Sequence, residues 1–134
     1  MARILVVEDD TAYSAALACA LSEDGHEVRC AARPREALRI IDACWLDLMI
    51  VDWLLEDDEL KIDGLDLAHH LQGIRPHVPI IFVTAMGREL LEHDARGLRI
   101  DRIFEKPTDL DLLLKDVRIA LALQEGSQSR SARE

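Results

Sequence analysis

Five short apolar runs alternate along this chain with five longer stretches in which apolar residues recur every three or four positions. The first run is "RILVV", residues 3–7, and "TAYSAALACALSE", residues 11–23, follows it with Leu17 and Leu21 one helical turn apart. Gly25 then stands where a helix end favours glycine. "HEVRCA" alternates polar and apolar residues as a strand does, Pro34 suits the first turn of a helix, and Ala37, Leu38, Ile41 and Cys44 lie at helical spacing. The third unit pairs the almost wholly apolar "LDLMIVD" with the amphipathic "LDLAHHLQGI". The fourth pairs "VPIIFVTA" with "GRELLEHDARGL", and the fifth pairs "DRIFEKP" with "DLDLLLKDVRIALALQ". Pro79 and Pro107 punctuate the last two boundaries.

Near-continuous apolar strands alternating with amphipathic helices predict a parallel sheet covered on both faces, because right-handed crossovers lay helices on either side of it. The expected fold is a doubly wound α/β domain of five parallel strands and five helices, spanning residues 1–125. Residues 126–134, "GSQSRSARE", carry no apolar periodicity and read as a disordered, solvated tail.

Composition narrows the function. A length of 134 residues with 49% hydrophobic content supports one full core and hardly two. A formal net charge of -10 without a stripe of Lys and Arg argues against direct nucleic-acid binding. Cys19, Cys30 and Cys44 fit no metal-ligand spacing and lie in apolar stretches, so they are expected as buried free thiols in a reducing compartment. No signal-peptide pattern and no membrane-length apolar run is present, which gives a cytoplasmic expectation with no membrane partner.

Ligands of such sheets bind beyond the carboxyl ends of the strands. Strand signal gives way to loop at Glu8 and Asp9, at Asp52, at Thr84 and Ala85, and at Lys106 and Pro107. Three carboxylates, a hydroxyl and an ammonium therefore converge. Hard oxygen ligands of this kind suit Mg²⁺, and a carboxylate can attack phosphorus to give an aspartyl-phosphate while a metal and a Lys neutralise the transferred oxygens. Asp52 is the central candidate. Asp10 reads as a helix cap, His69 and His70 as helix-surface residues, and the acidic residues 56–59 lack the glycine spacing of a calcium loop.

With these strings in their order, "ILVVEDD", "LDLMIVDW", "PIIFVTA" and "FEKP", the chain resembles a response-regulator receiver domain of two-component signalling, over residues 2 to about 124. The resemblance implies a flavodoxin-like fold with Asp52 as phosphoacceptor. It implies Mg²⁺ held by Glu8, Asp9, Asp52 and the backbone carbonyl of Leu54, with Glu8 acting mainly through water. Thr84 would be the switch hydroxyl, Ala85 the small residue lending its backbone N–H, Lys106 the ammonium that pairs with the phosphoryl group, and Lys106–Pro107 a cis bond. The implied partners are a histidine kinase or histidine phosphotransfer protein and a downstream protein whose identity the sequence does not give. The alternative is a pseudo-receiver, an interaction module that is never phosphorylated. A separate enzymatic activity on a small molecule is not expected, since no other catalytic cluster stands out.

The chain departs from the family pattern at three places. Gly64 lies twelve residues after Asp52, several more than is usual, and Glu56 stands where Pro is common. The acidic insertion, residues 56–63, either covers the site, adds negative potential to it or forms a partner surface. Ile103 occupies the place of an aromatic residue coupled to Thr84, and Arg99 stands where Gly is usual between the fourth helix and fifth strand.

Overall fold

A computed structural model describes residues 1–55, 61–85, 87–95 and 97–133, with only the backbone described for 88, 90, 93 and 125–133. Strands β1 (Arg3–Val7), β2 (Glu27–Ala31), β3 (Leu48–Val51), β4 (Ile80–Thr84) and β5 (Arg102–Glu105) form one parallel sheet in the order β2-β1-β3-β4-β5. Helices α1 (Thr11–Glu23), α2 (Pro34–Ala43), α3 (Gly64–Ile74), α4 (Arg88–Asp94) and α5 (Leu110–Arg133) connect and follow the strands. The doubly wound architecture is the one the pattern predicts.

Strand residues alternate between two cores. Leu5, Val7, Met49, Val51, Ile80 and Phe82 point to one face, where Ala37 and Ile41 of α2, Leu67 and Leu71 of α3 and Leu91 of α4 cover them. Ile4, Val6, Leu48, Ile50, Ile81 and Val83 point to the other, against Leu17 and Leu21 of α1 and Leu113 and Val117 of α5. Every residue of β3 and β4 is buried, which is why those strands read as unbroken apolar runs with no period of two.

One local expectation changes. Cys19 and Cys30 are exposed and Cys44 is only partly covered, so none is the buried thiol expected. Cys19 lies off the Leu17–Leu21 stripe of α1, and Cys30 is on β2, an edge strand with solvent beside it. Helix α5 runs from Leu110 to Arg133. The missing Gly at Arg99 is met differently. Gly97 takes the positive φ of 84° in the α4–β5 turn, and Gln72 of α3 holds the Arg99 backbone, its amide Nε2 donating to the carbonyl and its Oε1 accepting from the N–H at 3.1 Å.

Candidate phosphoacceptor site

The strand order reverses between β1 and β3, since β2 lies on one side of β1 and β3, β4 and β5 on the other. At such a switch point the two departing loops part and leave a crevice at the carboxyl ends of the strands. Glu8 and Asp9 leave β1 there, and Asp52 leaves β3. Each backbone is still held by the sheet. The Glu8 N–H donates to the Ala31 carbonyl, the Asp52 N–H to the Val7 carbonyl and the Lys106 N–H to the Thr84 carbonyl, at 3.0, 3.0 and 2.9 Å. The site therefore sits on a rigid edge, with its side chains one step beyond the strands.

Carboxylate oxygens of Glu8, Asp9 and Asp52 lie within 4.8 Å of one another. Glu8 is 3% exposed and Asp52 8%, so their charges are poorly solvated. Lys106 Nζ donates to Glu8 Oε1 and, at 3.2 Å, to Asp52 Oδ2. Glu8 Oε2 is buried with no hydrogen-bond partner among the described residues. Burial pushes the Glu8 carboxyl up to about 8; Asp52 adds to the shift and the Lys106 ammonium only partly opposes it. Burial draws the Lys106 ammonium down, but its hydrogen bonds and charge contacts with Glu8 and Asp52 outweigh that and hold it above the ordinary lysine value.

This donor set suits Mg²⁺. Three carboxylates against one ammonium leave two negative charges unbalanced when all are ionised, all the oxygens are hard, and the orphaned Glu8 Oε2 lacks a cation or donor. Thr84 closes β4, almost fully buried, and pairs in register with Glu105 immediately before Lys106. Ala85 follows it, exposed, and the Lys106–Pro107 peptide is cis. Leu54 lies two residues beyond Asp52, half exposed, and Trp53 between them is buried in the core. Asp10 caps α1, accepting from the N–H groups of Ala12 and Tyr13 at 3.1 Å each.

The loop from β3 to α3 is also held against the phosphoacceptor candidate. The Gly64 N–H donates to the Trp53 carbonyl at 2.7 Å, and a Cβ at Gly64 would lie 2.1 Å from the Asp52 carbonyl oxygen. Asp63 and Asp66 form a reciprocal cap on α3, each carboxylate accepting from the other's N–H at 3.0 Å. The acidic residues 56–60 lie outside the described residues. His70, expected on the helix surface, is partly exposed, and its Nε2 lies 2.7 Å from Asp42 Oδ1 across α2 and α3.

Two residues near the site were not singled out from the sequence. The Lys106 ammonium lies 4.9 Å from the centre of the Tyr13 ring, and the Tyr13 hydroxyl is 2.5 Å from Thr108 Oγ1. The available signal was position: Tyr13 is three residues after the α1 cap, on the turn nearest the strand ends.

A model of the response regulator receiver domain matches residues 4–118. The chain belongs to that family, the receiver domain of two-component systems. It is 34% identical over 116 residues to the transcriptional regulatory protein TcrA of Mycobacterium tuberculosis, covering 87% of this chain and 44% of TcrA. It is 33% identical over 121 residues to the response regulator MprA of Mycolicibacterium vanbaalenii, covering 89% of this chain and 50% of MprA. The receiver thus spans half or less of the length of these relatives. Among solved structures, a CheY-like receiver domain protein from Methanospirillum hungatei superposes with a TM-score of 0.83 at 28% identity, covering 95% of this chain and 98% of that one. No helix among the described residues is long and apolar enough to cross a membrane.

Proposed function

We propose that this receiver accepts a phosphoryl group on Asp52 from a histidine kinase or histidine phosphotransfer protein and signals by binding a downstream protein. The observation that carries this reading is the Lys106 ammonium bridging Glu8 and Asp52 at the switch point, beside Asp9. An Asp52 oxygen forms a new bond to phosphorus as the bond between phosphorus and the donor imidazole nitrogen breaks, and the electron pair leaves with that nitrogen. Glu8, Asp9 and Asp52, with the Leu54 backbone carbonyl, are the residues that would hold Mg²⁺. When bound it supplies neutralisation and orientation of the transferred oxygens. Lys106 then trades a carboxylate for a phosphoryl oxygen, while Thr84 and the Ala85 N–H supply further donors. A pseudo-receiver would gain nothing from gathering these carboxylates around an ammonium, so the same observation favours phosphorylation over constitutive binding.

Trp53 adjoins Asp52 and reports on it. In a Trp45→Phe background, which silences the exposed second tryptophan, emission should change on adding Mg²⁺ and again on adding beryllofluoride, and Asp9→Ala should weaken the Mg²⁺ titration about tenfold or more. An identical Mg²⁺ curve in Asp9→Ala would remove Asp9 from the metal set. No response of the parent to either addition would count against the phosphoacceptor reading.

A further inference from the structure

We propose that Tyr13 is a positioning residue for the phosphoryl chemistry: its ring face holds the Lys106 ammonium over the carboxylates, and its hydroxyl fixes the loop that carries that lysine. This rests on the phosphoacceptor reading of Asp52. Lys106 Nζ is 4.9 Å from the ring centre while it also bonds to Glu8 and Asp52, so the ammonium is confined between two carboxylates and an aromatic face. The ring quadrupole attracts a cation without occupying an acceptor site for a directed N–H bond, so the donors of the ammonium stay available for oxygen. A carboxylate in the same place would compete with the phosphoryl oxygens for those donors. A ring does not.

The hydroxyl adds a second restraint. Tyr13 is fixed to α1 by its N–H bond to the Asp10 cap at 3.1 Å, and its hydroxyl reaches Thr108 Oγ1, two residues beyond Lys106, at 2.5 Å. The start of α1 is thereby tied to the loop between β5 and α5, and Lys106 lies between the sheet edge and that tie. Tyr13 is the only tyrosine of the chain, so its resonances are unambiguous.

The test uses the full chain at saturating Mg²⁺, with Trp53 emission giving the beryllofluoride dissociation constant. Tyr13→Leu, which removes ring and hydroxyl, should weaken beryllofluoride about fivefold or more while Mg²⁺ affinity stays within about twofold. Tyr13→Phe should restore most of that loss. Thr108→Val should resemble Tyr13→Phe, and combining the two should cost no more than either alone. In the untreated protein the Lys106 side-chain methylene protons should be shifted upfield by the ring in NMR spectra, and Tyr13→Leu should abolish the shift. A folded Tyr13→Leu protein that binds beryllofluoride like the parent, or loses Mg²⁺ and beryllofluoride affinity alike, would overturn the positioning role. A parent that ignores beryllofluoride, yet shows the ring-shifted Lys106 signals, would instead overturn the phosphoacceptor reading on which the role depends.

Discussion

Glu8 carries a heavy electrostatic load, and the load can be measured. Its carboxyl is buried, one oxygen is unpartnered among the described residues, and its pKa is raised to about 8 by burial first and by Asp52 second. A carboxyl whose folded pKa exceeds its unfolded value binds its proton more tightly in the native state. The stability it contributes is complete below the unfolded value near 4.5 and is lost as pH rises through about 8. Mg²⁺ held by Glu8 as proposed would compete with that proton, so its affinity should rise with pH across the same window, approaching tenfold per unit where one proton is released. Thermal unfolding with chelator and with Mg²⁺ at several pH values should show a metal-dependent increment that grows from acid to neutral pH, and Glu8→Gln should flatten the metal-free pH dependence. An increment independent of pH in the parent would show that Glu8 does not couple metal to proton. Gly64 sets a second residue-level constraint, because a methyl there would meet only backbone: Asp52 carbonyl oxygen at 2.1 Å, its carbon at 2.9 Å and Trp53 Cα at 3.0 Å. Gly64→Ala should destabilise the receiver by about 1–3 kcal/mol in urea unfolding, as overpacking does, and should slow phosphorylation by displacing Asp52. An unchanged midpoint would mean the approach of α3 to Asp52 is loose.

Among the elements, the strands and helices were legible because β3 and β4 are buried on both faces, α2 and α3 each present an apolar stripe, and α1 is rich in the helix formers Ala and Leu. The site was legible for the same reason: when strand ends are known, the residues beyond them follow, and Glu8, Asp9, Asp52 and Lys106 do converge. Tyr13 escaped notice because an aromatic residue on a helix ordinarily reads as core, and only the loop carrying Thr108 shows what lies above it. Exposure of Cys19 and Cys30 escaped because local composition does not tell which face of α1 packs or which strand is an edge. The α4–β5–α5 face carries an expectation of its own. Ile103 is buried in the core beside α4, a β-branched side chain with restricted rotamers where the family pattern has an aromatic residue. A partner is switched only by the difference in its affinity for two states, so a small shape change here means weak switching through this face. Beryllofluoride should shift amide resonances strongly around Asp52 and Thr84 and only weakly around Ile103 and α5. Strong shifts along α5 would show that the face responds without the aromatic ring.

For the molecule as a whole, the sheet does two things at once. Its two cores supply stability, and its reversal of strand order opens a crevice at one edge where three carboxylates and one ammonium meet, Glu8, Asp52 and Lys106 each held by a backbone bond no longer than 3.0 Å. Such preorganisation suits the phosphoryl uptake proposed for Asp52. The chain spans half or less of the regulators TcrA and MprA. The task proposed for it is to carry the phosphoryl group. The most direct measurement is the intact mass of the protein after incubation with Mg²⁺ and acetyl phosphate, beside Asp52→Asn and a sample with excess chelator. The wild-type protein should gain the mass of one phosphoryl group, and neither the variant nor the chelated sample should. A wild-type mass that stays unchanged with several donors, or an Asp52→Asn protein that gains the same group, would contradict the assignment of Asp52 as the phosphoacceptor.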